Sequence, residues 1–118
     1  VLIVDDHAIF RRMMMNMVKG EYDAVEAGNG KEGLAALESN PDVELILTDV
    51  NMPEMDGLDM VEAIRKIDAH ANTPVVFLTS ERDEAMIERA KNANVENWLP
   101  KPFKKDQLLE VLTKLFGG

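Results

Sequence analysis

Aspartate residues follow two short apolar runs of this 118-residue chain. Asp5 and Asp6 come directly after Val1–Val4, and Asp49 comes one threonine after Leu45–Leu47. Carboxylates held close together repel one another, and without a cation at least one tends to stay protonated. A hard divalent ion relieves this repulsion, and oxygen-only ligands favour Mg²⁺, or Mn²⁺, over zinc. We expect Asp6 and Asp49 to bind such an ion directly, and Asp5 to bind it through water.

A hydroxyl group and an ammonium group follow two later apolar runs. Thr79 comes after Val75–Leu78, and Lys101 comes shortly after Asn97–Leu99. The formal charge of the three aspartates is offset by the charges of Mg²⁺ and Lys101. A phosphoryl group on Asp49 would carry a charge of about −2, so the site would then have a net charge of only about −1. The set of residues therefore suits a site that tolerates a phosphoryl group on Asp49, with Thr79 donating a hydrogen bond to it.

Each of these residues alone has a simpler structural explanation. Aspartate after a strand is common in turns. The Asp5-Asp6 pair and Thr79-Ser80 could cap helices, and Lys101 could lie on the surface. The functional interpretation depends on all of them following strands of the same sheet.

The apolar pattern of the chain alternates between short unbroken runs and helical spacing. Unbroken runs are typical of parallel strands that are covered on both faces. The runs are Val1–Val4, Ala24–Val25, Leu45–Leu47, Val75–Leu78 and Asn97–Leu99. The helical positions are Phe10, Met13, Met14 and Met17; Leu34 and Leu37; Met60, Val61, Ile64 and Ile67; Met86, Ala90 and Ala93; and Leu108, Val111, Leu112 and Leu115. We interpret the methionines of the first helix as core residues.

This order, strand then helix five times, predicts an α/β fold with an open parallel sheet and helices on both faces. Ligands of such sheets bind outside the carboxyl ends of the strands. The candidate residues follow the first, third, fourth and fifth strands, so the pattern predicts that they meet at one edge.

Composition narrows the class of protein. The chain is 46% hydrophobic and 30% charged, which is typical of a soluble globular domain, and its length predicts a single domain over residues 1–118. The net charge of −9 argues against direct binding of nucleic acid. The absence of cysteine excludes disulfides and thiolate metal sites. No apolar run is long enough to span a membrane, so we expect a cytoplasmic protein.

The motifs of the chain resemble those of response-regulator receiver domains of two-component systems, most closely the chemotaxis type. The resemblance covers the whole chain. Its segments are Val4-Asp5-Asp6, Arg11-Arg12, Asp49-Val50-Asn51-Met52-Pro53-Glu54-Met55-Asp56-Gly57, Leu78-Thr79-Ser80 and Lys101-Pro102-Phe103. The resemblance implies a flavodoxin-like, doubly wound (βα)5 sheet with strand order 2-1-3-4-5.

The resemblance also implies a role for each matching residue. Asp49 is similar to the phosphoacceptor, and Asp5 and Asp6 are similar to the acidic pair that holds Mg²⁺ with the main-chain carbonyl of Asn51. Lys101 corresponds to the cation that contacts the phosphoryl group.

Further implied roles concern switching and lifetime. Thr79 corresponds to the hydroxyl residue that turns toward the phosphoryl group, and Trp98 to the switch aromatic. The family has a cis peptide before Pro102, which would aim Lys101 into the site. Asn51 and Glu81 correspond to residues that modulate dephosphorylation, and their types imply a short-lived phosphoryl group.

The implied partners are a histidine kinase or phosphotransfer protein and an output protein. The output protein would bind the face formed by the fourth helix, fifth strand and fifth helix. The chain would catalyse only phosphoryl transfer to its own Asp49 and the later hydrolysis, and would not be an enzyme acting on separate substrates.

Three residues depart from the family pattern. Asn94 stands where the family usually has glycine, and asparagine is the next-best residue for a left-handed helix cap. Trp98 is larger than the usual tyrosine or phenylalanine. Pro100 removes a backbone donor, which predicts a short or irregular fifth strand.

Other classes of protein fit less well. An aspartyl-phosphate phosphatase needs a second aspartate where this chain has Asn51. A flavodoxin-like cofactor binder needs a phosphate loop where this chain has Asp5-Asp6. A degenerate receiver that acts only as an interaction module, and a receiver domain belonging to a multidomain regulator, remain as alternatives. We interpret His7 as a solvated residue at the rim of the site.

Overall fold

The computed structural model describes residues 1–50, 52, 55–79, 84–95, 97–101 and 103–117. Strands and helices alternate along the chain, as the apolar pattern predicts. The strands are β1 (Leu2–Val4), β2 (Val25–Ala27), β3 (Ile46–Thr48), β4 (Val75–Leu78) and β5 (Asn97–Leu99). The helices are α1 (Ala8–Val18), α2 (Gly30–Ser39), α3 (Gly57–Ile64), α4 (Glu84–Asn92) and α5 (Lys105–Gly117), and a short 3₁₀ helix covers Asp68–His70.

The described strands form one parallel sheet in the order β2-β1-β3-β4-β5. This order confirms the one that the resemblance implied. The central strands are completely buried because helices cover both faces of the sheet.

Alternate strand residues contribute to two separate hydrophobic clusters. Leu2 and Val4 point to the face covered by α2, α3 and α4. Ile3, between them, points to the face covered by α1 and α5. Burying one such aliphatic side chain contributes about 1.5–3 kcal/mol. The strands are therefore held firmly in register, which fixes the positions of the residues that follow them.

The methionines of α1 are only partly core residues. Met14 and Val18 are buried, but Met13 is 48% exposed. The interpretation of Met13 as a core residue is therefore wrong. Met14 and Val18 lie on the buried side of the helix, which faces the sheet. Met13 precedes Met14 by one residue, so its side chain is rotated by about 100° around the helix axis from that of Met14.

Two of the departures from the family pattern have clear structural consequences. Asn94 has a φ of 60° just after α4, which confirms its predicted left-handed conformation. β5 ends at Leu99, directly before Pro100, and at three residues it has the same length as β1, β2 and β3. Both residues end an element without disturbing the sheet.

Among the described residues, no helix combines the length and the apolar character that crossing a membrane requires.

Candidate functional site

The carboxyl ends of adjacent strands bring the candidate residues together. Asp5 follows β1, and its amide donates a hydrogen bond to the carbonyl of Ala27 on β2 (3.1 Å). Asp49 follows β3, and its amide donates to the carbonyl of Val4 on β1 (3.0 Å). Because β1 and β3 are neighbours in the sheet, the two carboxylates lie side by side, and both are buried.

Lys101 reaches this pair from beyond β5. Its Nζ atom donates to Asp5 Oδ2 (2.8 Å) and to Asp49 Oδ2 (3.2 Å). These partners lie 96 and 52 residues away along the chain. β4 separates β5 from β3 in the sheet, so the residue that follows β5 contacts carboxylates that follow β1 and β3.

Two opposing effects act on the pKa of Lys101. Burial lowers it, but the hydrogen bond to Asp5 and the negative charges of Asp49 and Asp5 outweigh burial and raise it above the ordinary value. The ammonium also lies 4.3 Å from the ring centre of Phe10, which itself packs edge-to-face against Phe103 (5.5 Å between centroids). A cation over an aromatic face gains about 0.5–2 kcal/mol. Lys101 is therefore a fixed positive charge beside Asp49.

The two oxygens of the Asp49 carboxylate accept hydrogen bonds from different donors. Its Oδ1 atom accepts a hydrogen bond from the amide of Val50 (2.7 Å), while Oδ2 accepts from Lys101. The Thr48 hydroxyl donates to the main-chain carbonyl of Asp49 (2.8 Å). The bonds from Val50 and Lys101 hold the carboxylate in one orientation, and the Thr48 bond is made to the main chain.

The donor atoms near Asp49 can hold a divalent ion. Ligand atoms from Asp5, Asp6, His7 and Asp49 all lie within 4.8 Å of one another. Three of the four residues offer carboxylate oxygens, and hard ions such as Mg²⁺ prefer oxygen ligands. Asp6 is exposed, so one side of the group is open to solvent. The donor set therefore fits the ion that the sequence predicts.

His7 is not simply a solvated rim residue. Its side chain is 71% exposed, as expected at a rim, but its Nδ1 atom lies 3.3 Å from Asp5 Oδ1 and 3.2 Å from Asp6 Oδ1. Its amide also donates to Asp5 Oδ1 (2.8 Å). The imidazole thus belongs to the acidic group.

The predicted switch residues lie along β4 and β5. Thr79 is buried directly after β4, at the same edge of the sheet as Asp49. Trp98 lies on β5, half-buried, with its ring 5.2 Å from the ring centre of Phe77, its partner on β4. Thr79 thus lies at the edge of the sheet that carries the site, and Trp98 lies on a strand of the face formed by α4, β5 and α5.

Three predicted site residues, Asn51, Glu81 and Pro102, lie outside the described residues. The roles predicted for them therefore remain predictions: the carbonyl ligand, the modulation of dephosphorylation and the cis peptide after Lys101.

Sequence reasoning missed two supports of the site. Phe10 lies at an apolar position of α1, and its ring also lies beside the Lys101 ammonium. Arg11 donates from Nη1 to the main-chain carbonyl of Asp5 (2.7 Å) and from Nε to Glu26 (3.1 Å), which anchors the turn that carries Asp5 and Asp6. The Arg11-Arg12 pair was part of the motif, although its function was not inferred.

A cavity of about 480 Å³ lies at the opposite edge of the sheet. Its lining includes Val1, Tyr22, Val25 and Val43, near the amino ends of the strands. The candidate site is instead a group of charged side chains that is open to solvent at Asp6.

Comparison with known proteins agrees with this fold. Residues 1–113 match the response regulator receiver domain family. The chemotaxis protein CheY1 of Helicobacter pylori is 36% identical over 99% of this chain and 96% of its own length. The CheY homolog of Campylobacter jejuni is also 36% identical, over 99% of this chain and 92% of its own length. The structure of chemotaxis protein CheY4 of Vibrio cholerae matches with a TM-score of 0.91 and 32% identity, and covers 98% of this chain and 96% of that one.

An open parallel sheet with acidic residues and a lysine at its carboxyl edge defines the receiver class of signalling domains. This chain belongs to the response regulator receiver domain family. It is a phosphoryl-accepting module of two-component signalling, and its similarity to chemotaxis regulators extends over nearly its full length.

Proposed function

We propose that Asp49 accepts a phosphoryl group from a phosphohistidine, in a Mg²⁺-dependent reaction that the chain itself catalyses. The observation that carries this proposal is the contact of Lys101 Nζ with the carboxylates of both Asp5 and Asp49. A fixed cation beside the acceptor oxygen is the arrangement that phosphoryl transfer needs, because the transferred group carries charge on its equatorial oxygens.

Each residue of the site would have a separate role in phosphoryl transfer. Asp49 attacks the phosphorus, with its Oδ1 oriented by the Val50 amide, as the P–N bond breaks and the donor imidazole leaves. Lys101 stabilises negative charge on the phosphoryl oxygens. Asp5, Asp6 and Asp49 would hold Mg²⁺, which when bound supplies further positive charge to the same oxygens. The donor would be a histidine kinase or a phosphotransfer protein.

Phosphorylation would then change the output face. Thr79 would turn toward the phosphoryl group, and Trp98 would move into the space that Thr79 leaves. These movements would alter the surface of α4, β5 and α5. The buried position of Thr79 and the packing of Trp98 on Phe77 support this route. The names of the relatives favour an output in chemotaxis or motility.

The chain would act as a signalling module and not as an enzyme with a separate substrate. The alternative of a degenerate receiver is less favoured, because Asp5, Asp6, Asp49, Thr79 and Lys101 are all present and lie at one edge of the sheet.

Asn51 and Glu81 predict that the phosphoryl group is short-lived, so persistence for many hours would contradict that part of the proposal.

The first test uses acetyl phosphate as a small phosphodonor. With Mg²⁺, mass spectrometry should show one added phosphoryl group that is labile at high pH, as acyl phosphates are. Asp49→Asn should abolish the addition because the amide cannot act as the nucleophile. Asp42→Asn, which changes an exposed aspartate outside the site, is the matched control and should be labelled normally. Full labelling of Asp49→Asn would show that the acceptor lies elsewhere.

A further inference from the structure

The site contains a nitrogen donor that the proposed phosphoryl chemistry does not use. His7 Nδ1 lies 3.2 Å from Asp6 Oδ1 and 3.3 Å from Asp5 Oδ1. His7 is the N-cap residue of α1, but its side chain makes no capping hydrogen bond. The imidazole is therefore not committed to the helix, and its 71% exposure lets an ion approach it directly from solvent.

The spacing of these atoms is close to that of ligands on one metal ion. Neighbouring ligands of an octahedral ion with bonds of about 2.1 Å lie about 3.0 Å apart, and opposite ligands lie about 4.2 Å apart. The distances from His7 Nδ1 to the two carboxylates are slightly above the first value, and the whole group spans at most 4.8 Å. Side-chain adjustments of about half an ångström would bring these donors to the spacing of groups around one ion.

The main chain already holds His7 in position. Its amide donates to Asp5 Oδ1 (2.8 Å), and Arg11 Nη1 holds the carbonyl of Asp5 (2.7 Å). Binding an ion would thus require the imidazole to move, but not the turn that carries it.

The chemistry of the donor determines which ions gain from it. Imidazole nitrogen is a good ligand for Zn²⁺, Co²⁺, Ni²⁺ and Cu²⁺, whereas Mg²⁺ strongly prefers oxygen. We propose that His7 Nδ1 is a direct ligand for borderline transition-metal ions in this site, and that His7 shifts the metal selectivity of the site away from Mg²⁺. The inference rests on the proposed function, because the same aspartates would hold Mg²⁺.

Selectivity can be measured by titrating the purified chain with Co²⁺ and, separately, with Mg²⁺ in a calorimeter. The quantity of interest is the ratio of the two association constants. In His7→Gln, which offers an amide in place of the imidazole, this ratio should fall by about tenfold or more. Ile9→Gln changes a side chain that is 81% exposed on the same helix, so its ratio should stay within about twofold of the native value.

Direct coordination can be read from the histidine nitrogens by NMR with Zn²⁺, which is diamagnetic. The chain has two histidines, and the second, His70, is buried with its Nδ1 2.9 Å from Thr73 Oγ1. Saturation with Zn²⁺ should shift the Nδ1 resonance of His7 and leave that of His70 in place. Asp6→Ala should weaken the binding of Co²⁺ and of Mg²⁺ in the calorimeter, because it removes a carboxylate that both ions would contact.

The outcomes separate the two proposals. If the selectivity ratio is unchanged in His7→Gln, or if His7 Nδ1 does not shift at Zn²⁺ saturation, the inference about His7 is wrong. Mg²⁺-dependent phosphorylation of Asp49 would still stand in that case. A native chain that binds neither ion and takes no phosphoryl group from acetyl phosphate would overturn both.

Discussion

Lys101 provides the positive charge that neighbours the two buried carboxylates, Asp5 and Asp49. Two unit charges 4 Å apart interact by about 4 kcal/mol at the effective dielectric constant near a protein surface. Burial of the ammonium offsets part of this attraction, but the pKa of Lys101 is raised on balance, so the net stabilisation that this shift represents is fully present below its unfolded pKa of 10.5. The contribution is lost only as the pH rises through the still higher pKa of the folded protein. The site therefore keeps its cation throughout the physiological range.

Replacing Lys101 with methionine should destabilise the chain and increase its demand for metal. The free energy of unfolding in the absence of Mg²⁺ should fall by about 1–3 kcal/mol, because two carboxylates lose their shared partner. Added Mg²⁺ should stabilise this variant more than the native chain. Urea unfolding with and without Mg²⁺ measures both effects.

Lys104→Met is the control for this prediction, because Lys104 is an exposed lysine three residues away. Its unfolding free energy should change by no more than about 0.5 kcal/mol. An equal stabilisation by Mg²⁺ in the two variants would mean that Lys101 does not balance the acidic group.

At the scale of elements, the start of α3 packs against the main chain next to Asp49. The Asp56 side chain caps α3 by accepting a hydrogen bond from the Asp59 amide (2.8 Å). The Gly57 amide donates to the Val50 carbonyl (2.7 Å), and a Cβ atom at Gly57 would collide with the carbonyl oxygen of Asp49. This contact explains in physical terms why the Asp-Gly pair ends the Asp49–Gly57 motif.

Gly57→Ala should therefore disturb both stability and phosphorylation. The backbone after Asp49 must shift to make room, which should cost about 1–3 kcal/mol and slow phosphorylation by acetyl phosphate. At Gly28, an added Cβ meets mainly the flexible end of Glu32, so Gly28→Ala is the matched control. The prediction fails if Gly57→Ala unfolds and labels like Gly28→Ala.

The turn between α4 and β5 depends on Asn94 and Arg65. Asn94 has a positive φ, and Arg65 donates to the carbonyls of Ala93 (2.7 Å), Thr73 (2.6 Å) and Asn94 (3.3 Å). Arg65 thus ties the end of α3 to the end of α4 and to the segment before β4. Nothing in the sequence pattern indicated this role.

Substitutions at Asn94 should follow the cost of the left-handed conformation. Asn94→Ala should lower the free energy of unfolding by about 1 kcal/mol, whereas Asn94→Gly should leave it unchanged or slightly higher. Both variants keep the main-chain carbonyl that Arg65 contacts, so the difference isolates the backbone conformation. Thermal or urea unfolding of the pair gives the answer, and alanine equal to glycine would contradict the argument.

At the scale of the whole molecule, the proposed switch is a shift between two conformations. About 3 kcal/mol of differential interaction would raise an active state from about 1% to more than half of the population. One charge-assisted hydrogen bond to Lys101 and one hydroxyl bond to Thr79 are of that order together. By linkage, a partner that binds the active face should in turn favour the phosphorylated state.

The switch can be tested with beryllofluoride, a mimic of the phosphoryl group. With Mg²⁺ and beryllofluoride, backbone amide shifts in the native chain should extend from Asp49 through Thr79 and Trp98 to α5. In Thr79→Ala they should stop near the metal site. Distal shifts that survive intact in Thr79→Ala would exclude the route through Thr79 and Trp98 without affecting the phosphorylation chemistry.

The sequence by itself determined the alternation of strands and helices and the placement of the aspartates after β1 and β3. Such features depend on neighbouring residues: unbroken apolar runs, helical spacing and the polar residues that end each strand. The order of the strands came from the resemblance and not from the pattern of apolar residues. The left-handed conformation of Asn94 could also be predicted, because it is a local property of the chain.

Only the tertiary structure decided how the side chains of the site meet. It brings Lys101 into hydrogen-bond contact with Asp5 and Asp49, which lie 96 and 52 residues away in the chain. It also places His7 Nδ1 close to the carboxylates of Asp5 and Asp6. It also exposes Met13 and sets Phe10 beside the ammonium. These outcomes depend on rotamers and on the packing of elements that are distant in the chain, and apolar spacing carries no information about either.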